Sequence, residues 1–273
     1  LAKEKPTGNL LVIDGQQRLV TCEAFRDERF PLTNEPFRLK AVHEKWEGRL
    51  YSDLDSADRK RFDDSVLRAT IIQQLKPEDE ATSVYHIFQR LNTGGTTLQN
   101  QEIRNCVYHG KFIDMLDILN ENETWRILYN SKEPNKRMKD EELILRFFAL
   151  YYNFDNYAKP MNEFMSKFLE KKRNAPDSEL DSMKKLFLGT VEFINKEVGP
   201  KAFRPRGNIN GAAFDSITYT IAKYKNSLKS NLSQNIDKLF EDLAYQKAIR
   251  EGTTDPDTIQ TRFSIAKRYL VRQ

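Results

Sequence analysis

Hydrophobic and polar residues follow two different patterns along this chain, and the change between them falls near residue 97. The first part contains short apolar, β-branched runs bounded by turn residues, which are typical of buried strands. The clearest runs are residues 10–13 and 65–72. From residue 98 onward, apolar residues recur at spacings of three and four, which predicts amphipathic helices.

Proline and glycine interrupt the helical pattern repeatedly, so it predicts separate helices. These cover residues 112–119, 141–152, 161–171, 180–197, 214–228, 236–249 and 258–271. The first part has three further helical segments, residues 17–25, 53–64 and 77–91. The sequence therefore predicts an α+β chain, with a small mixed α/β half over residues 1–97 and a larger all-helical half over residues 98–273.

Composition narrows the class of protein. A chain of 273 residues with 39% hydrophobic and 31% charged residues predicts a folded, helix-rich protein. No apolar run approaches the roughly 20 residues that span a bilayer, so we predict no membrane segment and a cytoplasmic location. Cys22 and Cys106 lack the spacing of metal ligands and are predicted to be reduced core thiols. Only three histidines occur, and they are scattered, so no metal site is predicted.

The net charge of +4 is unevenly distributed. Residues 1–109 carry 16 Lys and Arg against 17 Asp and Glu, whereas residues 110–273 carry 28 against 23. A basic excess in the second part could serve contacts with a nucleic-acid backbone. So small an excess is also typical of solvated helix faces, which is the favoured interpretation.

The first candidate site is the sequence Asp14-Gly15-Gln16-Gln17-Arg18, which directly follows the apolar run 10–13. A tight turn from strand to helix would place backbone N–H groups, the positive end of the helix dipole and a guanidinium side by side, which suits a phosphate. The alternative is structural: Asp14 caps the helix, Gln17 completes a capping box, and Arg18 lies on the surface. Spacing alone leaves both interpretations open.

The second candidate site follows about seventy residues later. Residues 88–98 read F-Q-R-L-N-T-G-G-T-T-L, which predicts a helix that ends at Asn92-Thr93-Gly94-Gly95 and a new helix capped by Thr96 and Gln99. Arg90 lies off the apolar face of the first helix. The paired glycines are explained as a helix end, or as a second place where backbone amides meet an anion.

The helix that follows begins with Glu102-Ile103-Arg104-Asn105. Glu102 and Arg104 are two positions apart and do not face each other on a helix, so we expect them to have different partners. For Glu102 we expect an ion pair with Arg18 or with Arg90. A structural brace and a catalytic role for Glu102 both remain open.

Taken in order, D-G-Q-Q-R, F-x-R-L-N-T-G-G-x-x-L and E-I-R-N resemble the N-terminal domain family of GmrSD-type modification-dependent restriction systems, and the resemblance extends weakly through residues 202–204 and 253–255. It implies a ParB/sulfiredoxin-like fold for residues 1–97. Family members carry a further stretch with a P-x-(F/Y)-Q-R segment before the first strand. This chain starts at Leu1 without that stretch, so we expect a truncated sheet and nucleotide pocket.

The resemblance also implies roles for individual residues. Asp14, Arg18 and Glu102 would be catalytic. Nucleotide-binding residues would be Gly15, Gln16, Gln17, Arg18, Arg90, Asn92, Thr93, Gly94, Gly95, Arg104 and Asn105. The implied cofactor is Mg²⁺ bound with a nucleoside triphosphate, and the implied partners are that nucleotide, DNA, and a nuclease domain or subunit.

Three functions follow from the sequence. The leading hypothesis is an NTP-binding and NTP-hydrolysing regulatory module of a DNA restriction or phage-defence system. The second is a DNA-binding protein in which the D-G-Q-Q-R turn is structural. The third is a ParB-like nuclease, which the sequence supports least because it lacks a recognisable cluster of metal-binding carboxylates. Neither G-x-x-x-x-G-K-(S/T) nor G-x-G-x-x-G occurs, so the common nucleotide motifs are excluded.

Overall fold

The computed structural model describes residues 2–3, 10–12, 15–30, 33–71, 86–87, 90 and 98–272. The chain divides into two compact units, residues 1–75 and residues 76–273. The domain boundary predicted at residue 97 stays a prediction, since residues 91–97 lie outside the described part. Among the described residues, no helix is both long and apolar enough to cross a membrane.

The described part of the first unit contains two very short strands and two helices. The strands β1 (Ala2–Lys3) and β2 (Leu10–Leu11) pair in antiparallel fashion. The helices are α1 (Gln16–Arg26) and α2 (Ser56–Asp63), which confirms both helices predicted there.

An aromatic cluster anchors α1 in this unit. Phe25 is buried, and its ring meets those of Phe37, Tyr51 and Phe62 edge to face at centroid distances of 5.4–5.9 Å. This geometry is favourable for aromatic pairs. Aromatic packing therefore anchors the C-terminal end of α1, while the first turn of the helix is exposed.

The mixed α/β fold predicted for residues 1–97 is wrong for the part of that half which the structure describes. Sheet pairing there is limited to the two-residue strands β1 and β2 and one isolated bridge between Arg29 and Pro36. Residues 65–71 form no strand, and Val66 and Leu67 are 83% and 61% exposed. β-branched residues favour a strand when a half-buried pleated surface is available, and these side chains have none. A ParB/sulfiredoxin-like sheet is thus not found, and the described chain is predominantly helical.

Helices dominate the second unit. In chain order the described ones are α3 (Asn100–Val107), α4 (Lys111–Asn120), α5 (Glu123–Tyr129), α6 (Lys139–Asn153), α7 (Met161–Lys172), α8 (Asp177–Glu197), α9 (Gly211–Lys223), α10 (Leu232–Glu241), α11 (Leu243–Ala248) and α12 (Pro256–Leu270). The all-helical prediction for this part is confirmed for residues 98–272. The helix predicted over 236–249 is two helices, and α5 was not predicted.

The core of this unit is aromatic and lies between α5, α6, α8 and α9. Trp125 is fully buried and contacts the rings of Phe187 and Phe214 at centroid distances of 5.8 and 5.5 Å. Phe147 and Phe148 pack against the same Phe187 ring. Burial of each such ring stabilises the fold by about 1.5–3 kcal/mol.

A buried ion cluster joins three of these helices. Asp215 on α9 accepts from Arg146 Nε on α6 at 3.1 Å and from Arg262 Nη2 on α12 at 3.1 Å. Asp215 and Arg262 are both fully buried. Arg262 Nη1 also donates to the carbonyl of Thr253 at 2.6 Å. One carboxylate therefore serves two guanidinium groups inside the helical unit.

The two cysteines are not core residues. Cys106 is exposed, Cys22 is partly exposed, and both are free thiols. Cys106 lies on α3, whose apolar face is formed instead by Ile103 and Val107. The predicted helical spacing was right, but the thiol lies off this apolar face of the helix, roughly 80° around from its centre.

Candidate functional site

The D-G-Q-Q-R segment forms the start of α1, and Gly15 is the residue at its N-cap. Gly15 adopts a left-handed conformation with φ 88° and ψ 8°. The first backbone bond of the helix runs from Leu19 N–H to the Gly15 carbonyl at 3.0 Å. The N–H groups of Gln16 and Gln17 precede that bond and have no acceptor within the helix. Glycine has no side chain to cap these N–H groups, so the positive end of the helix dipole suits an anion.

Arg18 lies over the glycine of this turn. A Cβ placed on Gly15 would be 3.2 Å from Nη2 and 3.5 Å from Nε of Arg18. The guanidinium therefore lies against the Cα of Gly15, at the N-cap of α1. Gln16, Gln17 and Arg18 are all exposed, and no acidic residue occurs in the first turn. A guanidinium and a helix N-terminus side by side favour an anion.

The structural interpretation of this turn, as a helix cap formed by Asp14 and Gln17, is wrong in one respect. The N-cap is Gly15 rather than Asp14, so the helix does not begin with an Asp14–Gln17 capping box. Asp14 itself lies outside the described residues, and its predicted catalytic role stays a prediction.

Replacing Gly15 with alanine is expected to lower the free energy of unfolding by about 1–2 kcal/mol, the cost of a side chain at left-handed φ. It should also push the Arg18 guanidinium aside, since that flexible group yields before the backbone does. Urea unfolding measures the first effect. Gly48→Ala is the matched control, because Gly48 has φ 74° with nothing within 4 Å of its Cβ position. Equal loss of anion binding in both variants would contradict the role assigned to Arg18.

The second motif is only partly within the described residues. Arg90 is helical and exposed. Asn92, Thr93, Gly94 and Gly95 lie outside the described part. Arg90 belongs to the second unit and Gly15 to the first, so convergence of the two motifs on one ligand stays a prediction.

Glu102 has a structural contact that differs from the predicted ones. Its carboxylate accepts from the backbone N–H of Gln99 at 2.6 Å, so the capping box at the start of α3 is Gln99–Glu102 and not Thr96–Gln99. The same carboxylate pairs with Arg137 at 3.3 Å. The predicted pairing of Glu102 with Arg18 or Arg90 stays a prediction. The observed geometry therefore gives Glu102 a cap and a brace, while its catalytic role stays a prediction.

Arg104 is fully buried, although the resemblance placed it among the nucleotide-binding residues. Its guanidinium donates to Glu142 Oε2 at 3.1 Å, to Asn162 Oδ1 at 2.9 Å and to Ser166 Oγ at 3.3 Å. A fourth bond goes to Gln101 Oε1 at 2.9 Å. Arg104 thus connects α3 with α6 and α7, and in this conformation its donors are occupied by protein groups.

Asn105 takes part in a second buried contact between α3 and α6. Asn105 Nδ2 and Gln101 Nε2 donate to Glu141 Oε1 at 2.8 and 3.1 Å. Burial raises the pKa of the Glu141 carboxyl to about 7, although these two hydrogen bonds oppose the rise. Sequence reasoning missed both Gln101 and Glu141. The available signal was that Gln101 precedes the E-I-R-N motif on the same face as Asn105.

Comparison with known protein families finds a match for the first part of the chain. Residues 1–109 match the family described as GmrSD restriction endonuclease, N-terminal domain, and this stretch is therefore a GmrSD N-terminal domain. The match confirms the resemblance drawn from the three motifs. No curated protein and no solved structure matches the chain.

Proposed function

We propose that this chain is the nucleotide-responsive module of its restriction system and that the turn from Gly15 to Arg18 binds the phosphates of a nucleoside triphosphate. The observation that supports the proposal is the position of the Arg18 guanidinium over Gly15, the N-cap residue of α1, which has no side chain of its own. Such a turn offers backbone N–H groups and a charged donor to the same oxygen atoms. Hydrolysis of the nucleotide and its coupling to DNA cleavage by the nuclease domain are part of the proposal.

The implied Mg²⁺ would be held at this site through the nucleotide phosphates. The described turn supplies hydrogen-bond donors and positive charge, which fit phosphate oxygens and not a metal ion. Among the described residues, no group of three or more His, Cys, Asp or Glu is placed to hold a metal. Mg²⁺ is commonly held by one or two carboxylates together with substrate phosphates and water. When bound with the nucleotide, it would neutralise charge on the phosphates, while Arg18 and the N–H groups of α1 orient them.

Replacing Arg18 with alanine is expected to weaken nucleotide binding by about 10- to 100-fold, since a hydrogen bond to a charged group contributes about 1.5–3 kcal/mol. The fold should be unaffected, because Arg18 is an exposed side chain. The measurement is titration of fluorescently labelled ATP, GTP, CTP and UTP in the presence of Mg²⁺, with circular dichroism and thermal unfolding as checks on folding.

The matched control is Arg26→Ala. Arg26 is an exposed arginine in the last turn of the same helix, eight positions away, and its only described ion pair is a long one of 3.9 Å to Asp63. It should bind nucleotide like the parent chain. If Arg18→Ala also binds like the parent, the turn is a structural helix start. The second hypothesis, a DNA-binding protein with a structural turn, would then account for the motif.

A further inference from the structure

Five basic side chains of the second unit lie on two chain segments that the backbone brings together. The first segment is the end of α9 with the turn after it, and the second is the end of α12. A bridge pairs Leu228 with Val271. Around it, Lys229 N–H donates to the carbonyl of Leu270 at 2.9 Å, and Arg272 N–H donates to that of Ser227 at 2.8 Å. We call the side chains on these segments the basic surface: Lys223, Lys225, Lys229, Lys267 and Arg272.

Two of these lysines each lie over a tyrosine ring. Lys267 Nζ is 4.6 Å from the centroid of the Tyr224 ring, and Lys223 Nζ is 5.7 Å from that of Tyr151. Such cation–π contacts hold an ammonium group in place without neutralising its charge. Lys225 Nζ lies 3.9 Å from the Cβ position of Gly189 on α8, where the glycine leaves room for it.

Carboxylates are missing from both segments. Residues 216–236 and 258–273 contain no Asp or Glu. Among the ion pairs described for the chain, none involves a residue of the basic surface, whereas the neighbouring Arg268 pairs with Asp242 at 2.6 Å. Four members of the surface are exposed, and Lys229 is partly buried, with its Nζ donating to the carbonyl of Arg268. Its charges are therefore available to an external anion.

We propose that the basic surface is a nucleic-acid-binding site that contacts the phosphates of duplex DNA. The cations are spread over two segments, which suits a ligand with phosphates at regular intervals better than one small anion. A membrane-binding helix would place large apolar residues beside its lysines, whereas tyrosines occupy those positions here. Residues 1–109 also match a domain of a restriction endonuclease, a class of enzyme that acts on DNA. This site shares no residue with the nucleotide site proposed at the start of α1.

The test is a double variant, Lys225→Gln with Lys267→Gln, measured in the full chain without nucleotide. Binding to a labelled 30-base-pair duplex would be followed by fluorescence anisotropy at several salt concentrations. Each lost phosphate contact reduces the slope of log K against log salt by about 0.9, so we expect a slope less steep by about two and an affinity at least about 10-fold lower near 0.1 M salt. Thermal unfolding should be unchanged, since both side chains are exposed.

The matched control is Lys136→Gln with Lys139→Gln, which removes the same charge. Lys136 and Lys139 are exposed and lie by the start of α6, and Lys139 is about 18 Å along that helix from Tyr151. The control should keep the salt dependence of the parent chain. The proposal is overturned if the parent does not bind duplex DNA, or if both double variants lose affinity equally. It is also overturned if the first variant loses binding only to vesicles containing phosphatidylserine. Arg18→Ala should bind the duplex normally, which separates this site from the nucleotide turn.

Discussion

Replacing Asp215 with alanine is expected to lower the free energy of unfolding by about 3–5 kcal/mol, the usual cost of breaking a buried ion pair from one side. The variant leaves the guanidinium groups of Arg146 and Arg262 close together without their shared counter-charge. Arg262 is fully buried and cannot turn to water. Helix packing would suffer most where α9 meets α6 and α12. Urea denaturation followed by circular dichroism measures the loss.

Asp237→Ala provides the control for this change. Asp237 pairs with Lys201 at 2.9 Å, but both side chains are about half exposed. Surface pairs of this kind contribute about 0–1 kcal/mol, so the control should be nearly as stable as the parent chain. Similar small losses in both variants would mean that the Asp215 cluster does not hold the three helices together.

The second large effect is expected at Arg104. Its replacement by alanine should destabilise the chain by about 2–4 kcal/mol, because it leaves a cavity and removes hydrogen bonds to buried or partly buried groups on α6 and α7. Glu142 remains 28% exposed, which limits the loss because water can solvate its carboxylate. The same urea experiment measures this effect.

Arg104→Lys is the informative companion variant. It keeps the charge but loses the planar fork that reaches Glu142, Asn162 and Ser166 together, so an intermediate stability is expected. If Arg104→Ala instead unfolds like the parent chain and fails to bind the nucleotide, Arg104 belongs to the predicted nucleotide site.

The helices could be predicted from the sequence because their buried faces repeat with the period of a helix. The segment predicted over residues 161–171 is α7, Met161–Lys172, to within one residue. The break inside the segment 236–249 is made by Asp242, whose carboxylate accepts from Tyr245 N–H at 2.9 Å and caps α11. The apolar pattern continues across that cap, so spacing alone predicted one helix. The strand predicted over residues 65–72 is wrong for the opposite reason. The β-branched composition favours a strand, but the side chains of the described residues 65–71 have no surface to pack on.

The candidate site was predictable only where its contacts are local in sequence. Gly15 and Arg18 are three positions apart, and their turn could be derived from the residues themselves. Arg104 was different, since arginine is rarely fully buried and its partners on α6 and α7 are 38 to 62 positions away. The basic surface was hidden for the same reason. Its two segments are some forty residues apart in sequence, and only the fold turns a small overall excess of charge into a local one.

The docking of α3 has a consequence for how this protein can change during evolution. The family match ends at residue 109, yet Ile103, Arg104 and Tyr108 are buried within the unit that begins at residue 76 and continues to the end of the chain. A recombination event that joined this N-terminal stretch to an unrelated partner at residue 109 would separate Arg104 from Glu142 and Gln101 from Glu141. We therefore expect the E-I-R-N motif to be inherited together with α6 and α7, the helices that supply its hydrogen-bond partners.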